Sequence, residues 1–503
     1  MKSSFRDNAL TFLFLSSLPF MTAAQGNGIF EDRADIGPVL HKGGLVYNKS
    51  SGEYLVSGSG ANIWAASDEA HFVWRKLKGN FILQARAKFI GAGVDPHRKL
   101  GWMIRQSLAT DAATVIAAVH GDGLASLQYR KETGAAIAET KFATTAPDVI
   151  QLERKGKQFI MSVARSGELF SVQEVQEIDL GDEVYVGLFV CAHNKDVVEK
   201  AIFDNVRMVV PAREGLVQYR EFLGSNVELF EMATGKRRVV YSEPFSLQAP
   251  NWMLDGKSLL YNKNGRIFQL DLASRKVSEL NTGAVQNNNN DHVISFDGKM
   301  LGLSATSPDK KYNSVVYTVP ITGGDPKQVT PVGPSYLHGW SPDGRWLTYT
   351  AQRNGDFDIY KIPSEGGEEV RLTTAPGLDD GPEYSPDGAY IYFNSARSGR
   401  MQLWRMKPDG TAQTQITNDT LNNWFPHPSP DGKWLLFLSF QADVKPDEHP
   451  FYKQVYLRMM PMEGGEPKVL AYLYGGQGTI NTPSWSPDGK QFAFVSNSGL
   501  LLE

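Results

Sequence analysis

The stretch HGWSPDGRWLTYTA, residues 338–351, is one copy of a phrase that decides the fold of the second half of the chain. Six copies are present, each built on an Asp-Gly pair, and successive pairs lie 42 to 57 residues apart. Self-similarity at a period in the forties is typical of a β-propeller with one four-stranded blade per repeat. The pairs begin at Asp255, Asp297, Asp343, Asp387, Asp431 and Asp488.

The Asp-Gly pair predicts a tight turn, because glycine adopts positive φ readily and aspartate bonds nearby backbone groups. Each turn therefore joins the first two strands of a blade. The last copy is followed by a single apolar strand at 492–497, while two strands without a turn phrase stand at 226–233 and 237–243. We therefore predict six blades, one of which is closed by strands from both ends of the propeller.

Residues 25–212 lack the phrase and show short segments of alternating apolar and polar residues. Closely spaced strands without a convincing amphipathic helix predict a β-sandwich, so the whole chain is expected to be all-β. In their order these segments resemble a concanavalin-like, laminin-G-type jelly roll, a module that the resemblance places on carbohydrate-active or adhesive secreted proteins. The segments are GNFILQARAKF (79–89), GWMIRQS (101–107), QLERKGKQF (151–159), YVGLFVCAHN (185–194) and AIFDNVRMV (201–209).

The N-terminus predicts a secretory signal peptide. Lys2 and Arg6 precede an apolar run at 9–20, and small residues follow at 22–24. The run is shorter than the roughly 20 residues that span a bilayer. We therefore predict cleavage near Gln25, no membrane span and a periplasmic or secreted protein. The predicted domains are a signal peptide (1–24), a sandwich (25–212) and a propeller (213–503).

Composition limits the partners and the redox chemistry. The net charge of −4 gives no case for a nucleic-acid partner, which would need a basic face. The one cysteine, Cys191, lies in an apolar segment and is predicted to be a buried core residue without a disulfide. Four polar residues of the predicted sandwich strands are candidates to line a concave face, but each is interpreted as an ordinary outward-facing strand residue. They are Arg105, His120, Tyr129 and Arg130.

The wording TPSWSPDGK at 482–490, followed by an apolar strand, resembles the TolB-type propeller repeat, and this resemblance covers residues 215–503. It implies the fold but no single function, because the repeat serves periplasmic binding scaffolds as well as some polysaccharide lyases. TolB itself would carry an α/β domain in front of the propeller. The concanavalin-like module predicted here makes envelope transport the poorer fit.

The Asp-Gly turns share one face of the disc, so the segments just before each first strand gather at the opposite mouth of the central channel. All four histidines of the propeller fall in these segments or in the long loop at 441–451. The predicted catalytic residues are His292, His338, Asp380 and Glu383. The predicted ligand-binding residues are Asn290, Asp291, Tyr336, Asp379, Trp424, His449, Gln477 and Asn481. The predicted metal ligands are His292, His338 and His427.

Clustered histidines with carboxylates suit either one divalent metal (Mn, Ca or Zn) or a general base. Aromatic rings beside amides suit a sugar, whose ring stacks while its hydroxyls bond the amides. The cluster is similar to that of oligogalacturonate lyases, seven-bladed enzymes, and this implies metal-assisted lyase or hydrolase chemistry without an organic cofactor. For each histidine taken alone, the alternative is a role in capping a strand end.

We therefore expect an exported carbohydrate-active protein that binds and cleaves a glycan at the propeller mouth. The alternative is a non-catalytic, TolB-like periplasmic scaffold that binds a protein or glycan partner. An adhesive or structural propeller would leave the clustered histidines unexplained.

Overall fold

The computed structural model describes residues 26–501, which form strands, turns and loops, with no helix among them. The predicted signal peptide lies outside these described residues. No helix within 26–501 is long and apolar enough to cross a membrane. The described part of the chain is therefore all-β, as its patterning predicts.

Fourteen of the first sixteen strands build two seven-stranded antiparallel sheets, and β4 and β5 form a separate two-stranded hairpin. The front sheet has the order β1-β6-β15-β8-β9-β10-β11, and the back sheet has the order β14-β13-β12-β7-β16-β3-β2. The strands are β1 (Asp32–Ile36), β2 (Gly44–Asn48), β3 (Glu53–Gly58), β4 (Ile63–Trp64), β5 (Ser67–Asp68), β6 (Ala70–Lys78), β7 (Phe81–Phe89), β8 (Lys99–Arg105), β9 (Thr114–His120), β10 (Ala125–Arg130), β11 (Ala138–Lys141), β12 (Val149–Lys155), β13 (Gln158–Ala164), β14 (Ser171–Val175), β15 (Glu183–Cys191) and β16 (Glu199–Val209).

The two sheets share one apolar core. Trp102 and Leu127 enter it from the front sheet, and Leu83 and Ile150 enter it from the back sheet. These residues come from the alternating segments, because successive side chains of a strand point to opposite faces. Cys191 is buried and unpaired, as predicted.

The outer face of the front sheet is more covered than the sequence indicates. The small hairpin of β4 and β5 ends at Asp68, whose carboxylate bonds Arg105 Nη1 at 2.6 Å and Arg130 Nη2 at 2.8 Å. All three side chains are fully buried. Arg105 and Arg130 therefore lie on the outer face as interpreted, but they are buried there, because the distant Asp68 neutralises both guanidinium groups under its loop. Tyr129 packs against the shared core instead, so its interpretation as outward-facing is wrong.

The remaining strands form a ring of six blades. They are β17 (Gly224–Glu231), β18 (Lys236–Glu243), β19 (Gln248–Trp252), β20 (Ser258–Lys263), β21 (Arg266–Asp271), β22 (Val277–Glu279), β23 (Asn288–Ile294), β24 (Met300–Ala305), β25 (Val315–Pro320), β26 (Lys327–Gln328), β27 (Ser335–Trp340), β28 (Trp346–Gln352), β29 (Phe357–Pro363), β30 (Val370–Arg371), β31 (Asp379–Tyr384), β32 (Ile391–Ser395), β33 (Gln402–Met406), β34 (Thr414–Gln415), β35 (Asn422–Pro428), β36 (Trp434–Phe440), β37 (Lys453–Pro461), β38 (Lys468–Gly475) and β39 (Gln491–Ser498).

Five blades follow the chain in order, from β19–β22 to β35–β38. The sixth has the order β18-β17-β39, and Trp485 is bridged to Phe492 where its first strand belongs. Strand β17 therefore pairs with β39 and closes the ring with strands from both ends of the propeller. This confirms the predicted six-bladed closure.

The repeated phrase builds each turn through two side chains. In the third copy, the Ser341 hydroxyl donates to Asp343 Oδ1 at 2.6 Å and accepts from the Trp346 amide at 2.9 Å. Asp343 Oδ1 also accepts from the Arg345 amide at 3.0 Å, and Gly344 has a φ of 72°. Because these bonds satisfy the turn internally, the phrase is scaffold rather than a functional site.

The first strand of each of the five continuous blades contains a register shift. In β27 the shift falls between Leu337 and Gly339, so His338 is the extra residue. In β31 it falls between Asp380 and Glu383, and Gly381 has a φ of 64°. A β-bulge turns side chains away from the strict alternation of a strand. The bulges therefore decide which residues face the channel.

The back sheet is anchored to the propeller by buried charges. Glu228 of β17 bonds Arg207 of β16 at 2.6 Å and Arg237 of β18 at 2.7 Å. Burial alone would raise the pKa of Glu228, but the two guanidinium groups outweigh burial and lower it to about 2. Gln151 of β12 adds a hydrogen bond of 2.8 Å to Gln454 of β37. The two units are thus joined through side chains as well as through the chain.

Candidate functional site

One repeat position of every blade lies on the first strand or in the segment that takes its place, on the side predicted to face the channel mouth. This position lies seven residues before each Asp of the repeated phrase, at or just before a bulge in the five continuous blades. Its occupants are amide, carboxylate or aromatic side chains, which is unusual for repeat scaffold. They are Gln248, Asn290, Tyr336, Asp380, Trp424 and Asn481.

Asp380 is the centre of the site. Its Oδ1 lies 3.2 Å from His338 Nε2, and its Oδ2 lies 3.9 Å from His449 Nε2. Oδ1 also accepts hydrogen bonds from Thr350 Oγ1 at 2.6 Å and from the Gly381 amide at 2.8 Å. Strand β27, strand β31 and the loop before β37 therefore converge on one carboxylate. We call Asp291, His338, Asp380 and His449 the mouth cluster.

The pKa values of the two histidines around Asp380 are shifted in opposite directions. Burial disfavours the charged ring of His338, but Asp380 and Asp291 outweigh burial and raise its pKa to about 9. For His449 burial prevails over the attraction of Asp380, and its pKa is lowered. Burial also opposes ionisation of Asp380, yet His338 holds the pKa of that carboxyl at about 2. At neutral pH an imidazolium and a neutral imidazole thus flank one carboxylate.

Asp291 completes the cluster from β23. Its side chain is buried, and burial raises its pKa to about 6, opposed by His338 and reinforced by Asp380. Asn289 bonds its carboxylate, and no carboxylate–cation pair within 4 Å is formed by Asp291 among residues 26–501. The charge of Asp291 therefore changes around pH 6, under the influence of the His338 imidazolium.

Aromatic rings fix the histidines in place. Phe425 stacks on His338 at a centroid distance of 5.8 Å and lies 5.6 Å from His449. Trp424 packs edge-on against His449 at 4.5 Å. Trp424 is fully buried, so it supports His449 rather than offering an open ring to a ligand. Its predicted ligand contact stays a prediction.

His427 and Glu383 form a separate pair that ties blades together. Glu383 Oε2 lies 2.6 Å from His427 Nδ1, and His427 Nε2 donates to the backbone carbonyl of Ile480. Burial raises the pKa of Glu383, and the charge of His427 opposes that rise. Both ring nitrogens of His427 are occupied by these bonds. Neither residue reaches Asp380 in an ion pair.

His292 and Asp379 adjoin Asp291 and Asp380 in their strands but have surroundings of their own. The ring of His292 is fully buried against the backbone of Leu260 and Asn290, and burial lowers its pKa to about 4. Asp379 is also buried and is bonded at 2.6 Å by Arg397 of its own blade. The structure gives these two residues surroundings typical of blade packing, and their functional roles stay predictions.

The predicted metal ligands do not form a metal site. His292 is packed between blades, His338 is paired with Asp380, and both nitrogens of His427 are engaged. Within the described part of the chain, no three His, Cys, Asp or Glu side chains are arranged to hold a metal ion. The donor set therefore does not fit the divalent metal that the sequence predicts.

The predicted amides form the base of the mouth. Asn481 Nδ2 donates to Gln477 Oε1 at 3.0 Å, and Asn481 Oδ1 accepts from the Gly478 amide at 2.7 Å. The Asn481 backbone also bonds the His338 ring. Asn290 is buried next to Asp291. Asn481 thus orients His338 through its main chain, which no side-chain pattern could indicate.

The sequence gives no indication of Tyr219, which stands at the same mouth. It belongs to the segment between the two units, is 64% exposed and has a φ of 65°. Its ring packs edge-on against Phe451 at 5.1 Å, two residues after His449. Asp291 raises the pKa of both Tyr219 and Tyr336 after the effect of burial. Tyr219 could not be predicted from the repeat, because Tyr219 lies outside the repeat.

A cavity of about 260 Å³ lies elsewhere, between the back sheet and the propeller. Arg86 and Arg237 line it, and they are already bonded to Asp204 and Glu228 respectively. Because those charges are paired, the cavity is a weaker candidate for a polar ligand than the mouth.

Comparison with known proteins agrees with the ring architecture. The family model described as the TolB beta propeller domain matches residues 336–449. An uncharacterized protein of Agrobacterium fabrum is 47% identical over 272 residues, which cover 54% of this chain and 92% of that protein.

Solved structures extend the comparison. A structure from Agrobacterium tumefaciens that bears the name TolB is 45% identical, with a TM-score of 0.53, and covers 56% of this chain and 100% of that chain. An oligogalacturonate lyase in complex with manganese matches at 15% identity and a TM-score of 0.35, over 53% of this chain and 70% of that chain. The second likeness is too low to bear on function. The ring of six blades, the matching repeat and the high identity over nearly all of a relative together show that this chain belongs to the TolB-type β-propeller family.

Proposed function

We propose that the protein is an exported glycan-binding protein that cleaves its ligand by acid–base chemistry at the propeller mouth. The observation that carries the proposal is the pair of histidines on Asp380, one held protonated and the other neutral. Titratable neighbours whose pKa values are pushed apart are the arrangement that an acid and a base require. His338 is the proposed acid and His449 the proposed base.

Each residue of the mouth cluster has a distinct part in this scheme. His449, the more exposed histidine at 27%, would take a proton from the ligand or from an attacking water. His338 would give a proton to the departing glycosidic oxygen. Asp380 would hold both rings and remain ionised throughout, fixed by Thr350 and the Gly381 amide. Whether the reaction is elimination or hydrolysis depends on the ligand, and no step passes through a metal.

The test combines binding and turnover. Purified protein would be titrated with a panel of plant, algal and bacterial oligosaccharides by calorimetry, and products would be followed by mass spectrometry. Turnover that falls about 10²-fold or more in both His338→Gln and His449→Gln is the expected result. Binding without turnover would reduce the proposal to a lectin-like function, and no binding across the panel would contradict it.

A second function is favoured by the exposed apolar residues of the segment between the two units. Val217, Tyr219 and Phe222 are 50%, 64% and 40% exposed beside the mouth. Apolar side chains around a polar centre also suit a protein partner. In this alternative the mouth is a non-catalytic, TolB-like binding site, and His338→Gln abolishes capture of the partner without any product being formed.

We further propose that the N-terminal pair of sheets is a concanavalin-like jelly roll that supports glycan recognition. Two antiparallel sheets with a shared core are compatible with that assignment. Export through the predicted N-terminal signal peptide accords with the family, and secretion assays of a fusion to residues 1–30 would test it.

A further inference from the structure

The cavity of about 260 Å³ between the back sheet and the propeller lies where blades five and six meet. Strand β38, the outer strand of blade five, supplies residues 468–472 to its lining. Blade six contributes Phe230 and Met232, and the back sheet contributes Arg86 and Val149. Three parts of the fold that are remote in sequence therefore enclose one space.

Hydrogen bonds between the two units hold the walls of the cavity in place. The Val469 amide donates to the Gly167 carbonyl at 3.0 Å. Elsewhere in the wall, Asn205 Nδ2 donates to the Gly235 carbonyl at 2.9 Å. All four residues line the cavity. The space is therefore bounded by specific contacts between the back sheet and the two blades.

Much of the lining is apolar, because two apolar clusters meet at the cavity. Folded proteins leave few voids larger than a water molecule, since unfilled space forfeits packing contacts. A smaller apolar cavity, of about 150 Å³, already accommodates a benzene ring. The cavity is therefore large enough for the body of a small apolar ligand. The lining residues are Phe230, Met232, Leu470 and Ala471 from one cluster and Val149, Val469 and Tyr472 from the other.

The charged residues of the lining are all cations. They are Arg86, Arg237 and Lys468, and within residues 26–501 no aspartate or glutamate lines the cavity. Two of the cations are neutralised from outside the lining. Asp204 lies 2.6 Å from Arg86, and Glu228 lies 2.7 Å from Arg237. The third cation, Lys468, is therefore the one available to a ligand.

Lys468 has no partner of its own. Its side chain is exposed, and its ammonium forms no hydrogen bond or ion pair with another residue in the described part of the chain. Its aliphatic stem runs beside Gly167, where an added Cβ would lie 3.7 Å from Lys468 Cδ. An unpaired ammonium beside an apolar space favours a ligand with an apolar body and one carboxylate, because such a ligand satisfies both surfaces.

We propose that this cavity binds a small amphipathic monocarboxylic acid, with its apolar body between the two clusters and its carboxylate on Lys468. The site is separate from the propeller mouth, and the inference does not depend on the proposed glycan function. Because the walls come from the back sheet and from blades five and six, the ligand contacts both units. Its binding should therefore stabilise their attachment.

The test uses ligands with one body and different head groups. Octanoate, octanol and octylammonium would be titrated into the full protein by calorimetry at pH 7, with phenylbutyrate as a second acid. We expect octanoate to bind at least about fivefold more tightly than octanol, and octylammonium not to bind. Lys468→Gln should weaken octanoate binding about fivefold and leave octanol binding unchanged. Lys257→Gln is the control, since Lys257 is an exposed lysine of the first Asp-Gly turn and does not line the cavity.

A second variant fills the space instead of removing the charge. Met232→Trp places a larger ring in the cavity and should abolish binding of octanoate and octanol alike, with melting curves to establish that the variant is folded. Retained binding in a folded Met232→Trp would place the ligand elsewhere and overturn the inference.

Three further results would overturn it. They are equal affinities for octanoate and octanol, an unchanged octanoate affinity in Lys468→Gln, and failure of both acids to bind. Because Lys468 is exposed, its substitution decides the question even if Met232→Trp does not fold. Failure of oligosaccharides to bind would contradict the glycan function alone and leave this site standing.

Discussion

His427 Nδ1 lies 2.6 Å from Glu383 Oε2, and this contact joins the first strands of two neighbouring blades. Because His427 Nε2 donates to the Ile480 carbonyl, both ring nitrogens are engaged, one in each direction around the ring of blades. The pair therefore links the fourth, fifth and sixth blades of the ring.

We expect His427→Ala to destabilise the propeller by about 1–3 kcal/mol, because it leaves the buried Glu383 carboxyl and the Ile480 carbonyl without their partner. Chemical denaturation would measure the change. His449→Gln is the comparison, since its ring is partly exposed and should affect turnover more than stability. An unchanged unfolding midpoint in His427→Ala would contradict a stabilising link between the blades.

The opposite displacements of the His338 and His449 pKa values predict a bell-shaped pH dependence of turnover. Activity should rise as His449 loses its proton below the usual histidine range and fall as His338 loses its proton near pH 9. Removal of Asp380 should lower the pKa of His338, so Asp380→Asn should shift the alkaline limb to lower pH. His97→Gln, at an exposed histidine of the N-terminal unit, should leave the profile unchanged.

The raised pKa of Asp291 predicts a pH-dependent effect on stability. Its folded pKa of about 6 exceeds the ordinary 3.8, so the protonated carboxyl stabilises the fold below pH 4 and that contribution is lost as the pH rises through 6. Asp291→Asn should therefore raise the stability at pH 8 by up to about 3 kcal/mol relative to pH 4, reduced by the lost attraction to His338. Thermal melts at both pH values measure this. A lower melting temperature of the variant at pH 8 would contradict it.

Asp343 offers a control of opposite sign for that measurement. Ser341 and the Arg345 amide bond its carboxylate and lower its pKa to about 2. Its contribution is present above pH 4 and is lost as the pH falls through 2. Asp343→Asn should therefore lower the melting temperature at pH 8, whereas Asp291→Asn should raise it.

The buried charges at the interface predict acid-sensitive attachment of the N-terminal unit. The lowered pKa of Glu228 stabilises the protein above pH 4.5, and this contribution is lost as the pH falls towards 2. Glu228→Gln should cost about 3–5 kcal/mol, because Arg207 and Arg237 would be left buried without their counter-charge. Glu221→Gln, at the exposed pair with Arg213, should leave the stability nearly unchanged, because solvent screens that pair. Equal effects of the two variants in denaturant titrations would contradict the assignment.

The propeller was predictable because its information is local and repeated. Each Asp-Gly turn carries its own hydrogen bonds, so the turns at Asp343 and Asp387 could be recognised without knowledge of the rest of the fold. The strand predicted at 492–497 could also be recognised as lacking its partners within its own repeat. In the structure it pairs with β17, the strand predicted at 226–233. Most predictions about the ring therefore depended on contacts within a single repeat.

The site was less predictable, because bulges and distant chain segments decide it. The sequence places His292, His338 and His427 at one mouth, but the register shifts send them to three different surroundings. His449 depends on a long loop, and Tyr219 on a segment outside the repeat. The burial of Arg105 and Arg130 was not predicted for the same reason, since Asp68 is remote from both in sequence.

The pairing of β17 with β39 makes closure of the ring depend on two strands that lie far apart in the chain. Glu228 and Ser496 are hydrogen-bonded at 2.6 Å although 268 residues separate them in the chain. Until β39 arrives during synthesis, β17 presents an unpaired edge that can template aggregation. Nicking by a protease near residue 490 would reopen that edge. Quality control of this protein is therefore expected to act on the last strand to join.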